Sequence, residues 1–317
     1  MQEYANKQDD DNILKYMDRI LKTTPQNADD WEKKAFVYKN MRELKKAVSC
    51  LEKAIELSPN NSGYYEKTGN LLSDLIQYEA ALGYYNKSAE ISPECGAYWN
   101  NLALCYDNLN DYNHAKKYYE KSIKLDPTIR TVWYNLGELY LNNNEIAKAK
   151  ECYAELIKRD TENEFLLKVA LFYKKINAYK EATKYLQKLV DLEPDNDEAW
   201  FHLAHSYDQQ RAYDLAIESY KNCVNLNPRN YSSWNNLGLM YALKEDFKEA
   251  IKCYKKSILI NPKSDITWEN LQLAYYGVEK FDKAELCRKR VEQLKNEDDE
   301  LHENKTRSND ESKQYYI

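Results

Sequence analysis

The stretch Trp234-Asn235-Asn236-Leu237-Gly238-Leu239-Met240-Tyr241, followed by Ala250, Tyr254 and Pro262, decides how the whole chain is read. Trp234, Leu237, Gly238 and Tyr241 are spaced by three and four, so they share one face of a helix. Ala250 and Tyr254 lie on a second helix, and Pro262 closes the unit because proline cannot continue a helix. The same spacing recurs outward in both directions. Pro59, Pro93 and Pro127 are 34 apart, as are Pro194, Pro228 and Pro262. Trp31, Tyr65, Trp99, Trp133, Trp200, Trp234 and Trp268 hold the opening aromatic position. Alanine fills one second-helix position in eight successive units: Ala47, Ala81, Ala115, Ala149, Ala182, Ala216, Ala250 and Ala284. Such a column marks a contact that excludes every larger side chain. The first helix adds a small-residue column (Ala35, Gly69, Ala103, Gly137, Ala170, Ala204, Gly238). It also carries a tyrosine column (Tyr38, Tyr106, Tyr140, Tyr173, Tyr207, Tyr241, Tyr275), with Leu72 as its exception.

Composition agrees with a thin helical array. Only seven Gly and seven Pro occur in 317 residues, which suits long helices joined by short turns. Hydrophobic residues make up 43%, charged residues 31%, and the mean hydropathy is −0.86, as expected where much surface is exposed per residue. The net charge of −6 argues against nucleic acid as the main ligand, since phosphate binding needs a clustered basic stripe. No apolar run has membrane-spanning length, and the N-terminus shows no signal-peptide pattern. Seven cysteines, odd in number and without a CxxC pair, read as reduced thiols. They place the expected location in the cytoplasm, with the nucleus as the alternative.

The pattern Trp-x2-Leu-Gly-x2-Tyr, then Ala, an aromatic and Pro at period 34, resembles the tetratricopeptide repeat (TPR). The resemblance implies an all-α, right-handed superhelical solenoid of eight helix-turn-helix repeats, at 28–61, 62–95, 96–129, 130–162, 163–196, 197–230, 231–264 and 265–298. Residues 1–10 read as a flexible N-terminus, and 11–27, closed by Pro25, as an N-terminal capping helix or half repeat. Residues 299–317 read as a polar extension of the last helix, to about residue 303, and then a disordered tail. Repeat four is one residue short and has Thr161 in place of proline, so the junction with repeat five is either a joint or a tolerated loop variant.

The resemblance places first helices on the inner, concave surface. There the position just before the Leu reads Lys33, Lys67, Asn101, Asn135, Lys168, His202, Asn236, Asn270. Its asparagines resemble those of the O-linked N-acetylglucosamine transferase superhelix, whose amides hold an extended peptide; the alternative is a family default at this position. One residue earlier stand Glu32, Glu66, Asn100, Tyr134, Leu167, Phe201, Asn235, Glu269. Tyr134, Leu167 and Phe201, with Leu171 a turn later, form an expected apolar strip rimmed by Asn135, Lys168, His202 and His205. Two readings stand for it: a partner-binding strip, or closure of the seam between repeats. The candidate partner-binding residues are therefore Asn101, Tyr134, Asn135, Leu167, Lys168, Leu171, Phe201, His202, His205, Asn236 and Asn270.

Catalytic chemistry finds no support. There is no phosphate loop, GxSxG or HExxH motif. His202 and His205 stand three apart, but nothing completes a metal site around them. No cofactor is implied. The clamp by which some TPR proteins grip a chaperone's C-terminal carboxylate needs Lys where this chain has Glu32, Glu66 and Asn100. The expected function is a non-enzymatic scaffold or adaptor whose concave groove takes a protein or peptide partner. The alternatives are a permanent subunit of a larger complex and a regulatory region serving a separate catalytic chain.

Overall fold

The computed structural model describes residue 17, residues 19–160 and residues 163–314, with side chains described to residue 297. Its helices pair as α1 (Ala28–Asn40) with α2 (Leu44–Leu57), α3 (Ser62–Asp74) with α4 (Tyr78–Ile91), α5 (Gly96–Asn108) with α6 (Tyr112–Leu125), and α7 (Arg130–Asn142) with α8 (Ile146–Arg159). There follow α9 (Leu166–Lys175) with α10 (Tyr179–Leu192), α11 (Asp197–Gln209) with α12 (Tyr213–Leu226), α13 (Tyr231–Leu243) with α14 (Phe247–Ile260), and α15 (Asp265–Gly277) with α16 (Phe281–Gln314). The described residues contain no strand. The eight pairs are the eight repeats.

Each turn between the helices of a pair is built the same way. One residue adopts the left-handed conformation: Arg42, Ile76, Asn110, Asn144, Asn177, Arg211, Glu245 and Glu279, with φ of 57–61°. The amide just after it donates back five residues, to the carbonyl of the tyrosine column or of Leu72. This Schellman closure satisfies carbonyls that the helix end would leave orphaned. At the other end, Asn27, Asn61, Asn196, Asn230 and Ser264 cap five of the eight odd-numbered helices with their side chains.

Close approach within a pair follows from the small residues. All eight column alanines are wholly buried. A Cβ at Gly69 would sit 2.7 Å from the Tyr85 ring, and one at Gly238 2.7 Å from the Tyr254 ring. The small column thus makes room for the second-helix tyrosine of its own repeat. The proline column does more than end helices. Trp99, Trp133, Trp200, Trp234 and Trp268 each donate Nε1–H to the carbonyl of the proline six residues earlier, at 2.8–3.0 Å. Where repeat five follows Thr161, the opening position is Leu166, so proline and tryptophan are lost together.

The chain divides into two compact units, Met1–Thr161 and Glu162–Ile317. The first holds cores around Ala47, Leu51 and Tyr64 and around Tyr85 and Leu102. The second holds cores around Tyr220 and Met240 and around Tyr254 and Leu271. Much of the N-terminal cap expected at 11–27 lies outside the described residues, as do 1–10; residues 19–22 are helical, and Lys34 Nζ donates to the Leu21 carbonyl at 3.1 Å. At the other end α16 runs to Gln314, past residue 303. It contains no Gly or Pro, and Arg288 pairs along it with both Glu285 and Glu292. Residues 315–317 lie outside the described chain.

Candidate partner-binding face

On the odd-numbered helices, the two positions before the repeat's Leu position are linked from one repeat to the next at four steps. Lys67 Nζ bonds Glu32, Asn101 Nδ2 donates to Glu66 Oε1 (3.2 Å), and Asn135 Nδ2 donates to Asn100 Oδ1 (3.2 Å). In the second unit Asn270 Nδ2 donates to Asn235 Oδ1 (3.0 Å). Every rung spans 35 residues and joins one repeat to the next. Asn100 and Asn235 turn their own amides onto Asn101 and Asn236, at 3.4 and 3.2 Å. The asparagines are thus partly committed to one another, leaving each amide some of its hydrogen-bonding capacity.

A rung needs an acceptor at the earlier position, and Leu167 and Phe201 provide none. His202 and Asn236 therefore turn elsewhere. Asn236 Nδ2 donates to the Tyr220 hydroxyl at 3.3 Å, and His202 meets Lys174 at 2.7 Å. Phe201 rests edge-on against Tyr220, with centroids 6.1 Å apart and planes at 65°. In the first unit Tyr134 takes the same pose on Tyr153, at 6.2 Å and 75°, and burial pushes its phenol pKa up. Both rings are half-buried: they lean on the second helix of their own repeat and keep one side toward solvent. Leu167 and Leu171 are half-buried and Lys168 is exposed, its ammonium 4.8 Å from the Phe165 ring. Of the candidate residues, Asn101, Tyr134 and Asn135 belong to the first unit and the other eight to the second.

Sequence patterns gave no sign of Lys174. Its ammonium can only donate, so His202 Nδ1 is the acceptor and the His202 proton sits on Nε2, 3.8 Å from Glu198 Oε1. Burial holds the Lys174 pKa down to about 8. Burial first, then Lys174 and His205, bring His202 down to about 4. His205 is also lowered, by burial and then Lys174, with Asp208 opposing.

Phe36, 63% exposed, lines a cleft of about 220 Å³ in the first unit with Glu32, Lys39, Lys67 and Asn70. On the second-helix side, Ile123, Trp133, Tyr140 and Cys152 line a groove of about 760 Å³. All seven cysteines are free, and burial raises the pKa of Cys50, Cys152, Cys253 and Cys287, as for packed thiols. The described residues contain no His, Cys, Asp or Glu cluster able to hold a metal ion, and no helix long and apolar enough to cross a membrane.

Comparison with known proteins agrees with this geometry. Sequence profiles of the tetratricopeptide repeat match residues 31–61, 96–129, 118–151, 164–196, 197–230 and 231–264. No curated protein sequence matches the chain. Among solved structures, the C-terminal part of a TPR repeat-containing protein from Cytophaga hutchinsonii is 20% identical, with a TM-score of 0.61 over 72% of this chain and 94% of that one. YrrB, described as a TPR protein with an unusual peptide-binding site, is 22% identical with a TM-score of 0.40, covering 68% of this chain and 95% of that one. The Cut9–Hcn1 hetero-tetramer of the APC/C is 18% identical with a TM-score of 0.49, covering 83% of this chain and 52% of that one. The first of these shares the fold, and the repeat profiles cover most of the helix pairs described above. The chain belongs to the tetratricopeptide repeat family and is a protein–protein interaction scaffold built from its repeats.

Proposed function

We propose that the scaffold is non-catalytic and holds an extended or helical partner segment on the first-helix face of repeats five and six, in the second unit. The observation that carries this is the interruption of the rungs. Between repeats one and two, two and three, three and four, and seven and eight, polar side chains at these positions satisfy one another. At Leu167 and Phe201 an apolar side chain takes the acceptor's place, next to hydrogen-bonding groups that turn aside. Half-exposed apolar anchors beside polar groups are how binding hot spots are composed. The buried, unpaired thiols suit a reducing compartment, cytoplasm or nucleus.

The test is a double substitution. Phe201 leans on buried Tyr220, so Phe201→Gln is preferred to a charge there, combined with Lys168→Glu on the exposed rim. The variant should lose, by at least about tenfold, the partners that the wild type captures in affinity purification with mass spectrometry, while its helicity stays unchanged. Capture of the same partners at the same yield would remove the strip as the site. The second reading, a permanent subunit held through the second-helix side, would then gain, and the groove beside Trp133 and Tyr140 is the surface that favours it.

A further inference from the structure

In the second unit, the first-helix face carries a cation with no anion. Lys174 on α9 has no carboxylate within ion-pair distance among the described residues; its polar neighbour is the His202 ring on α11. By contrast, two lysines on the first-helix face of the first unit have carboxylate partners, Lys67 with Glu32 and Lys33 with Asp30. Withdrawing an ammonium from water without a counter-ion is costly, and a neutral imidazole offsets little of that cost. One turn beyond His202, His205 Nδ1 is buried with no hydrogen-bond partner. The groups around this cluster do not supply the missing charge. Glu198, on the same helix, lies 3.8 Å from the far nitrogen of His202 and is 63% exposed. Asp208 acts on His205 without overcoming its burial. From α10 comes the Tyr179 ring, its centroid 6.2 Å from that of His205. His202 keeps 19% of its side-chain surface, so the cluster opens toward solvent.

We propose that Lys174, His202 and His205 form a receptor for one carboxylate of a bound partner, an Asp or Glu side chain or a chain terminus. The carboxylate accepts from the Lys174 ammonium and from an imidazole N–H, and so supplies the acceptor that this cluster lacks. The receptor rests on the reading that the partner lies on the first-helix face of repeats five and six, and it narrows that partner to one presenting an acid there. It is separate from the chaperone-tail clamp, whose leading positions here hold Glu32, Glu66 and Asn100.

The chain has four histidines, His114, His202, His205 and His302, so a histidine 13Cε1–1H spectrum of the full protein has one signal for each. Two probes are titrated at constant ionic strength: N-acetyl-glutamic acid amide, with a side-chain carboxylate, and N-acetyl-leucine, with a terminal one. The His202 and His205 signals should shift to saturation with at least one probe while those of His114 and His302 stay still; the tighter probe assigns the source of the carboxylate. Lys174→Gln should weaken binding about tenfold, as expected for a lost charge-assisted hydrogen bond. A second readout needs no variant. Wild-type affinity should fall as pH rises above about 8, where Lys174 loses its proton, although an ordinary lysine keeps its charge to about pH 10.4. Silence at His202 and His205 with both probes, equal shifts at all four histidines, or affinity flat from pH 7 to 9.5 would overturn the receptor. The probes need no partner, so probe binding alongside unaltered partner capture by the Phe201 and Lys168 variant leaves the receptor standing and removes the groove.

Discussion

Ile76 is the one β-branched residue among the eight turn positions that adopt the left-handed conformation, with φ of 61°. A side chain branched at Cβ clashes there with its own backbone, and the usual penalty is about 1–2 kcal/mol. Its side chain is 73% exposed, so it recovers little by burial. Asn fills the equivalent position at 110, 144 and 177, where its short polar side chain tolerates the conformation. Ile76→Asn should therefore stabilise the protein by about 1 kcal/mol, read as a higher urea midpoint at unchanged slope. A lower midpoint would show that Ile76 makes a contact worth more than the strain it bears. The turn position is present in the sequence as a spacing, but its conformation is not, because Arg, Ile and Glu carry no signal for a left-handed backbone. Lys174 escaped notice for a related reason. It follows the tyrosine column directly, outside the two positions that the repeat pattern marks for binding.

Between the paired helices, two glycines make opposite predictions from the same chemistry. Gly69 on α3 faces the Tyr85 ring, with 2.7 Å left for a Cβ, while a Cβ on Gly83 in α4 would meet nothing within 4 Å. Gly83→Ala removes the backbone freedom of a mid-helix glycine and should stabilise by about 0.5–1 kcal/mol. Gly69→Ala drives a methyl into a packed ring and should cost about 1–3 kcal/mol. Paired denaturation curves decide it, and equal shifts for both would mean that the helices can move apart freely. The small-residue column was legible because a contact that excludes volume leaves one residue type in register. The rungs were not. Asn, Glu and Lys each serve at their positions, and what matters is whether one side chain can accept from another 35 residues away. The same point bears on the asparagines: their resemblance to a peptide-holding ladder came from residue type, whereas the structure gives them partners within the chain. The interruption at Leu167 and Phe201 becomes meaningful only once the rungs on either side are seen.

At the scale of the molecule, a repeat array is stabilised by each pair and by its contacts with the next, so stability is shared among neighbours and no single core governs the chain. The periodic columns made all eight pairs legible, since each carries the alanine and its surrounding spacing. The division at residue 161 was visible only as a one-residue shortening with Thr161 and Leu166 in place of proline and tryptophan. Those substitutions remove, at that junction alone among repeats three to eight, the indole-to-carbonyl tie found at every other step. Each unit has its own buried tyrosines and alanines: Tyr85, Tyr119 and Tyr153 in the first, Tyr220 and Tyr254 in the second. Each also contains four complete pairs, above the roughly three that such arrays need to hold together. Chains spanning 1–161 and 162–317 should therefore each fold when made separately, with helical circular dichroism and a sigmoidal urea transition of their own. A fragment that is unfolded in buffer, or that melts without cooperativity, would show that its pairs depend on the other half of the chain. Independent folding of both would place the unit of stability at four repeats and allow the proposed site residues of repeats five and six to be assayed in the 162–317 chain.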